Sequence, residues 1–252
     1  MDDNLQMWEG RKVMMLLPVY RTFCADTHFS LFANYAKYGA DKIGMEIIKR
    51  TVIHEARNIL IDKFMKSGAE TAIMCDDDMI LPVGNPVYLN GNHGANLPLR
   101  SAGFNAISRI MSHGKERGIV GALYFGRHEV GQAQCELGFG RTRDSENEKL
   151  RAFQYKDLVP TGWVGTGFIK IERWVVERLK AEIDAGTFPE AKPHHEGSWY
   201  GYFAPIGTGY GEDVSFCTRA KKIGIQTYLD ASLICLHQGE RNYGPSNTKN
   251  TK

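Results

Sequence analysis

Long apolar runs are missing from this chain. The first, Val13 to Val19, spans seven residues, whereas a membrane-crossing helix needs roughly 18 to 20; any membrane substrate is expected to be met from outside the bilayer. A basic leader is also missing. The chain opens Met1-Asp2-Asp3-Asn4, acidic where a signal peptide would be positive, which points to a soluble cytoplasmic protein. Cysteines number five, at 24, 75, 135, 217 and 235, and no two are spaced as a C-x-x-C pair. That argues against a disulfide framework and a thiolate zinc cluster, and the five read as reduced thiols. Charge of one sign is not in excess, since 31 Lys and Arg face 29 Asp and Glu, so no global field announces a nucleic-acid or membrane binder. Neither G-x-x-x-x-G-K nor G-x-G-x-x-G occurs, which removes the usual glycine-rich phosphate loops. Internal repeats and linker-like stretches are absent as well, and 252 residues with 42% hydrophobic and 24% charged content suit one folded domain.

What is present alternates between two periods. Lys12 to Tyr20 is a continuous apolar run, as in a strand covered on both faces. Thr27 to Tyr38 sets Leu31, Phe32, Tyr35 and Ala36 at helical spacing before Gly39. A short strand is expected near Met45 to Ile48. Ile53 to Lys66 carries Ile53, Ala56, Ile59, Leu60, Phe64 and Met65 on one stripe, and Ala69 to Cys75 returns to strand. This strand-helix alternation predicts an α/β fold with a mostly parallel central sheet flanked by helices. Residues 82–98, rich in Gly, Asn and Pro, read as a surface loop. Leu99 to His113 reads as a helix, Gly118 to Phe125 as a buried strand, and 126–161 as a small antiparallel hairpin insertion. Gly162 to Ile171 then predicts a strand running into a helix over Arg173 to Ala185. A second loop at 186–210 leads to a helix over Glu212 to Lys222 and a last strand over Gln226 to Leu236. The two halves expected within the single domain meet near residue 120.

Three consecutive aspartates, Asp76, Asp77 and Asp78, end the third strand. Like charges this close repel unless a cation offsets them. In extended chain Asp76 and Asp78 project to one side and Asp77 to the other, so the outer pair suits one divalent ion. Oxygen ligands favour Mg²⁺ or Mn²⁺ over zinc. The same trio would also serve as a solvated acidic loop or a helix cap. Glu212 and Asp213 follow Gly209-Tyr210-Gly211 at the start of a helix, where the dipole favours their charged forms. Gly165 and Gly167 flank Thr166 and permit close backbone approach, or else mark a strand bulge. The loop before Glu212 holds His194, His195, Trp199, Tyr200, Tyr202 and Phe203. Adjacent histidines cannot both face one metal from a regular element, whereas the aromatics suit stacking on a sugar or base as well as they suit a satellite apolar cluster.

At this point the chain resembles glycosyltransferases of the GT-A fold, family two in particular, over most of its length. The resemblance is carried, in that family's order, by LPVYRT, EARN (55–58), MCDDDM, VGTGF (164–168), YGEDVSFCTRAKKIG (210–224) and CLHQG (235–239). It implies a metal-dependent enzyme that moves a sugar from a nucleotide-diphosphate sugar to an acceptor hydroxyl. It further implies that Pro18 and Tyr20 line the nucleotide pocket and that Arg57 orients the nucleotide or the acidic motif. Asp76 would contact ribose or a metal-bound water, with Asp77 beside the nucleotide. Asp78 and His237 would join Asp76 around Mn²⁺ or Mg²⁺. Asp213 would deprotonate the acceptor, Glu212 would contact it, and Gly165, Thr166, Gly167, Trp199 and Tyr200 would line its site. Where family members often carry an Asp that reads the base, this chain has Ile47-Ile48-Lys49-Arg50, leaving the donor open between UDP- and GDP-sugars.

GALYFGR at 121–127 and the small size are similar to compact bacteriophage glycosyltransferases, some of which modify hydroxymethylated pyrimidines in DNA. Between Arg100 and Arg127 lie the basic residues Arg100, Arg109, Lys115, Arg117 and Arg127 against the single acid Glu116, a patch that suits a phosphate backbone or a solvated helix face. The acceptor is thus either a hydroxymethyl group in DNA or a hydroxyl on a saccharide or other small molecule. Two other readings compete: a non-catalytic nucleotide-sugar-binding module, which would not need both Asp76–Asp78 and Glu212–Asp213, and a nucleotidyltransferase, which would want a second acidic pair or a glycine-rich phosphate loop.

Overall fold

The computed structural model describes residues 12–20, 24–82, 104–125, 135, 158–193, 195 and 197–238. Its seven-stranded sheet has the order β2-β1-β3-β7-β5-β8-β6, built from β1 (Val13–Val19), β2 (Ile43–Lys49), β3 (Thr71–Cys75), β5 (Ile119–Leu123), β6 (Leu158–Thr161), β7 (Phe168–Glu172) and β8 (Thr227–Ile234). Pairs β1·β2, β1·β3 and β5·β8 are parallel, and β7 runs antiparallel to both β3 and β5. All strands but β7 and the edge strand β6 therefore point one way, the mostly parallel architecture that the GT-A resemblance implies. A separate two-stranded antiparallel sheet joins β4 (Met79–Ile80) to β9 (Leu236–His237).

Among the described residues five helices cover the sheet: α1 (Ala25–Tyr38), α2 (Ile53–Ser67), α3 (Ala106–Met111), α4 (Arg173–Asp184) and α5 (Glu212–Lys222). On one face α2, α4 and α5 contribute Leu60, Phe64, Val175, Leu179 and Phe216 to the core, and on the other α1 and α3 contribute Leu31, Ile107 and Ile110. The central strands β1, β3, β5 and β7 are buried throughout, which explains why their sequences show no alternation.

Several expectations shift. Helix α1 buries Thr27, Ser30, Leu31 and Asn34, while Phe32 is 44% exposed, because polar side chains on this helix do structural work. The Asn34 amide donates to the Pro82 carbonyl (3.3 Å), its carbonyl accepts from the Ala106 amide (2.6 Å) and Ser30 accepts from the Leu81 amide (3.1 Å). One buried asparagine thus holds the chain on both sides of segment 83–103. Among the described residues a small antiparallel sheet is formed by β4 and β9; of the hairpin expected over 126–161, only Cys135, bridged to Val164, and β6 are described, and the rest lies outside the described residues. β6 joins the main sheet beside β8 as the last strand in its order, a place where a proline such as the exposed Pro160 is tolerated. The strand foreseen over Gly162 to Ile171 begins only at Phe168. Most of the 82–98 loop and the first part of the helix expected from Leu99 lie outside the described residues.

Candidate functional site

Strand direction gathers the candidate residues at one edge. Cys75 pairs with Phe168 and Leu123 with Ile234, so the C-terminal ends of β3, β5 and β8 and the start of β7 lie together, with the end of β1 beside β3. That edge carries Tyr20, Asp76 to Asp78, Tyr124, Gly165 to Gly167 and, through β9, His237. Ligands of open α/β sheets bind at such an edge.

Arg57 is the centre of the arrangement. It rises from the middle of α2, with its side chain 2% exposed. One amino group spans both oxygens of Asp76 at 2.7 and 2.8 Å, and the other bonds Glu212 at the start of α5. Burial works to lower its pKa, but the two carboxylates outweigh it and the net shift is upward, so the guanidinium is a fixed positive charge. Beside it Asn58 is also buried, and its side-chain oxygen accepts from the Phe203 amide at 2.8 Å. Two consecutive polar residues on a helix thereby hold the acidic strand end, the α5 start and the 200s loop.

The three aspartates have separate partners. Asp76 takes Arg57; Asp77 Oδ2 accepts from the Tyr20 amide at 2.9 Å; Asp78 Oδ1 lies 3.3 Å from His237 Nε2. His237 Nδ1 lies 3.2 Å from the Phe125 carbonyl. A carbonyl only accepts, so Nδ1 carries a proton, and Nε2 faces the Asp78 carboxylate. Either a proton on Nε2 or a cation between the two would bridge that pair. An imidazole nitrogen, oriented by a backbone carbonyl, and a carboxylate oxygen make a mixed nitrogen–oxygen pair that could hold a divalent ion such as Mn²⁺. Among the described residues no group of three or more His, Cys, Asp and Glu side chains converges on one point, since Asp76 is turned to Arg57.

Asp213 lies one residue into α5. Its Oδ1 accepts from the Val214 amide at 2.7 Å, and Gly211 leaves it room, because a β-carbon there would sit 2.8 Å from that oxygen. Burial, then the negative charge of Glu212, raises its pKa to about 6. A carboxylate poised near neutrality has the properties of a general base.

The remaining candidates divide. Tyr20 is 64% and Trp199 41% exposed. Pro18 and Gly165 are buried, and Thr166 is 1% exposed, so its side chain faces the interior. Tyr200 is committed elsewhere: its hydroxyl donates to Asp184 at 2.7 Å, Lys180 lies over its ring and it stacks on Tyr202. Gly167 is a close approach, its absent β-carbon 2.8 Å from the Tyr124 ring and 2.9 Å from Met79 Sδ. His195 is exposed. In the basic patch, Arg109 pairs with Asp230, Lys115 with Glu70, and Arg117 donates to the Tyr228 hydroxyl at 2.9 Å. Lys115 and Arg117 sit before β5 with Glu70 before β3, at the opposite edge of the sheet, about 16 Å away along a five-residue strand. Arg100 and Arg127 lie outside the described residues.

Asn58 and Tyr124 are the residues that sequence reasoning missed. Asn58 had a signal, being a second polar residue beside Arg57 within an apolar stripe; Tyr124, at the end of an apolar strand, had none.

No family model matches the chain, and no curated protein sequence matches it. Among solved structures, A197 from STIV aligns over 90% of this chain and 86% of its own at a TM-score of 0.50 with 15% identity, a likeness of fold. A glycosyltransferase involved in the glycosylation of the major capsid of PBCV-1 aligns over 72% of this chain and 68% of its own, at a TM-score of 0.35 with 9% identity. Among the described residues no helix is long and apolar enough to cross a membrane.

Proposed function

We propose that the protein is a metal-dependent glycosyltransferase that moves a sugar from a nucleotide-diphosphate sugar to an acceptor hydroxyl. The observation that carries this reading is the bridge from Asp76 through buried Arg57 to Glu212, which brings the acidic strand end and the acidic helix start into one site. A binding module would need only the first. In this reading Asp213 Oδ2 accepts the acceptor's hydroxyl proton as the sugar–oxygen bond forms. Glu212, held by Arg57, orients the acceptor, and Tyr20 covers the nucleotide. Asp78 and His237, with Asp76 beside them, would hold Mn²⁺ or Mg²⁺, which when bound offsets charge on the leaving diphosphate.

The acceptor class this edge favours is a saccharide or other small hydroxylated molecule, because the described cations proposed to hold a DNA backbone are internally paired and two lie at the far edge. Hydroxymethylated DNA is the second acceptor to test. Incubating the protein with Mn²⁺, a panel of UDP- and GDP-sugars, and either simple saccharides or hydroxymethylated DNA, with mass-spectrometric readout, decides both points. Failure to consume any donor, with or without acceptor, would overturn the reading.

A further inference from the structure

Tyr124 contacts Gly167 and His237 at this edge and has no role in the scheme above. It follows β5 directly and is 6% exposed. Its hydroxyl oxygen accepts from the Gly167 amide at 3.0 Å, and the Gly167 carbonyl accepts in turn from the Asp76 amide at 2.9 Å. Its ring stands edge-on to the His237 imidazole, with centroids 5.6 Å apart, and the next residue, Phe125, supplies the carbonyl that faces His237 Nδ1. The fit is tight, since a β-carbon on Gly167 would lie 2.8 Å from the ring. Burial, then Asp76 and then Asp213, push the phenol well above its usual range, so it is a neutral hydroxyl near both carboxylates.

We propose that Tyr124 is a positioning residue: its hydroxyl fixes Gly167, and through Gly167 the Asp76 turn, while its ring fixes the His237 imidazole. The functional side of this inference rests on reading the Asp76–Asp78–His237 edge as the donor site; the positioning itself does not. The phenol bonds the 164–168 segment directly, reaches the 76–79 segment through Gly167 and faces the 236–237 segment with its ring. Removing only the hydroxyl leaves the Gly167 amide without its acceptor in a buried place and keeps the ring that fills the site.

Tyr124→Phe is the test, with Tyr228→Phe, which loses a hydroxyl at the opposite edge, as control. Hydrogen exchange on the ligand-free proteins should show about tenfold faster exchange at the Gly167 and Asp76 amides in Tyr124→Phe, with the rest of the sheet unchanged. Titration of UDP and GDP in the presence of Mn²⁺ should show about tenfold weaker binding for Tyr124→Phe and wild-type binding for Tyr228→Phe. Unchanged exchange at Gly167 and Asp76 overturns the inference whatever the nucleotide data. Faster exchange with unchanged nucleotide affinity also overturns it, leaving a packing contact. Faster exchange in a protein whose wild type binds neither nucleotide sustains the positioning and counts against the glycosyltransferase reading alone.

Discussion

Arg57 and Asp76 form a bidentate pair, with one guanidinium nitrogen 2.7 and 2.8 Å from the two carboxylate oxygens, and the arginine is nearly inaccessible to solvent. Arg57→Ala would leave Asp76 and Glu212 close together without their shared cation. Breaking one partner out of a buried pair costs about 3 kcal/mol or more, so the urea midpoint should fall clearly. Arg57→Lys should restore little, because a single ammonium cannot bridge two carboxylates with a planar fork.

Asp213→Asn keeps the size of the side chain and removes the proposed base. Transfer should drop by about 10² or more with donor affinity nearly unchanged, and wild-type turnover should rise with pH through about 6 as the carboxyl ionises. Stability should respond in the opposite sense. A carboxyl whose folded pKa is raised holds its proton longer in the folded state, so folding weakens as pH climbs from about 4 to about 6. Above that window Asp213→Asn should be more stable than wild type by up to about 3 kcal/mol, a difference that vanishes below pH 4 in denaturant titrations.

A nucleoside diphosphate should raise the melting temperature only when Mn²⁺ or Mg²⁺ is present. Asp78→Ala should abolish that shift. Asp77→Ala should retain it in reduced form, because Asp77 holds the Tyr20 amide and not His237. Equal shifts with and without chelator would refute the assignment of Asp78 and His237.

Gly167→Ala should destabilise by about 1–3 kcal/mol through overpacking, since the new methyl meets both the Tyr124 ring and the Met79 sulfur. Calorimetry of this variant measures how rigid the edge is.

Lys115→Ala and Arg117→Ala should leave transfer to any acceptor unaltered, as both lie at the edge opposite Asp213. If hydroxymethylated DNA binds at low salt and these variants weaken it, the acceptor reading must change to DNA. Trp199→Ala should lower transfer more than donor hydrolysis, whereas Tyr200→Phe, which loses a bond to Asp184, should act on stability.

Runs of apolar residues made the strands legible, since burial on both faces leaves a plain signature, and the helix expected over Glu212 to Lys222 from its glycine-rich, acidic start has those bounds. The reversed direction of β7 was not legible, because an antiparallel strand buried on both faces has the same composition as a parallel one. The exposed Phe32 misled for a related reason. A helical stripe assumes that apolar side chains face the core, yet Ser30 and Asn34 are buried to bond the backbone at 81, 82 and 106. In the site, the residue types were readable and their partners were not. Nothing in DDD says that the first carboxylate faces Arg57, the second the Tyr20 amide and the third His237, as these pairings depend on contacts across up to 159 positions of sequence.

The place of β8 in the sheet sets an order on biosynthesis. It inserts between β5 and β6, and β9, just after it, brings His237 to Asp78. Until residues 227–237 have left the ribosome, the β5 edge has no parallel neighbour, Leu123 has no amide from Cys235 to accept, and Asp78 faces no imidazole. The nascent chain therefore carries its acidic trio well before His237 can reach it. Completion of the site waits on closing contacts of long sequence separation, which fold slowly.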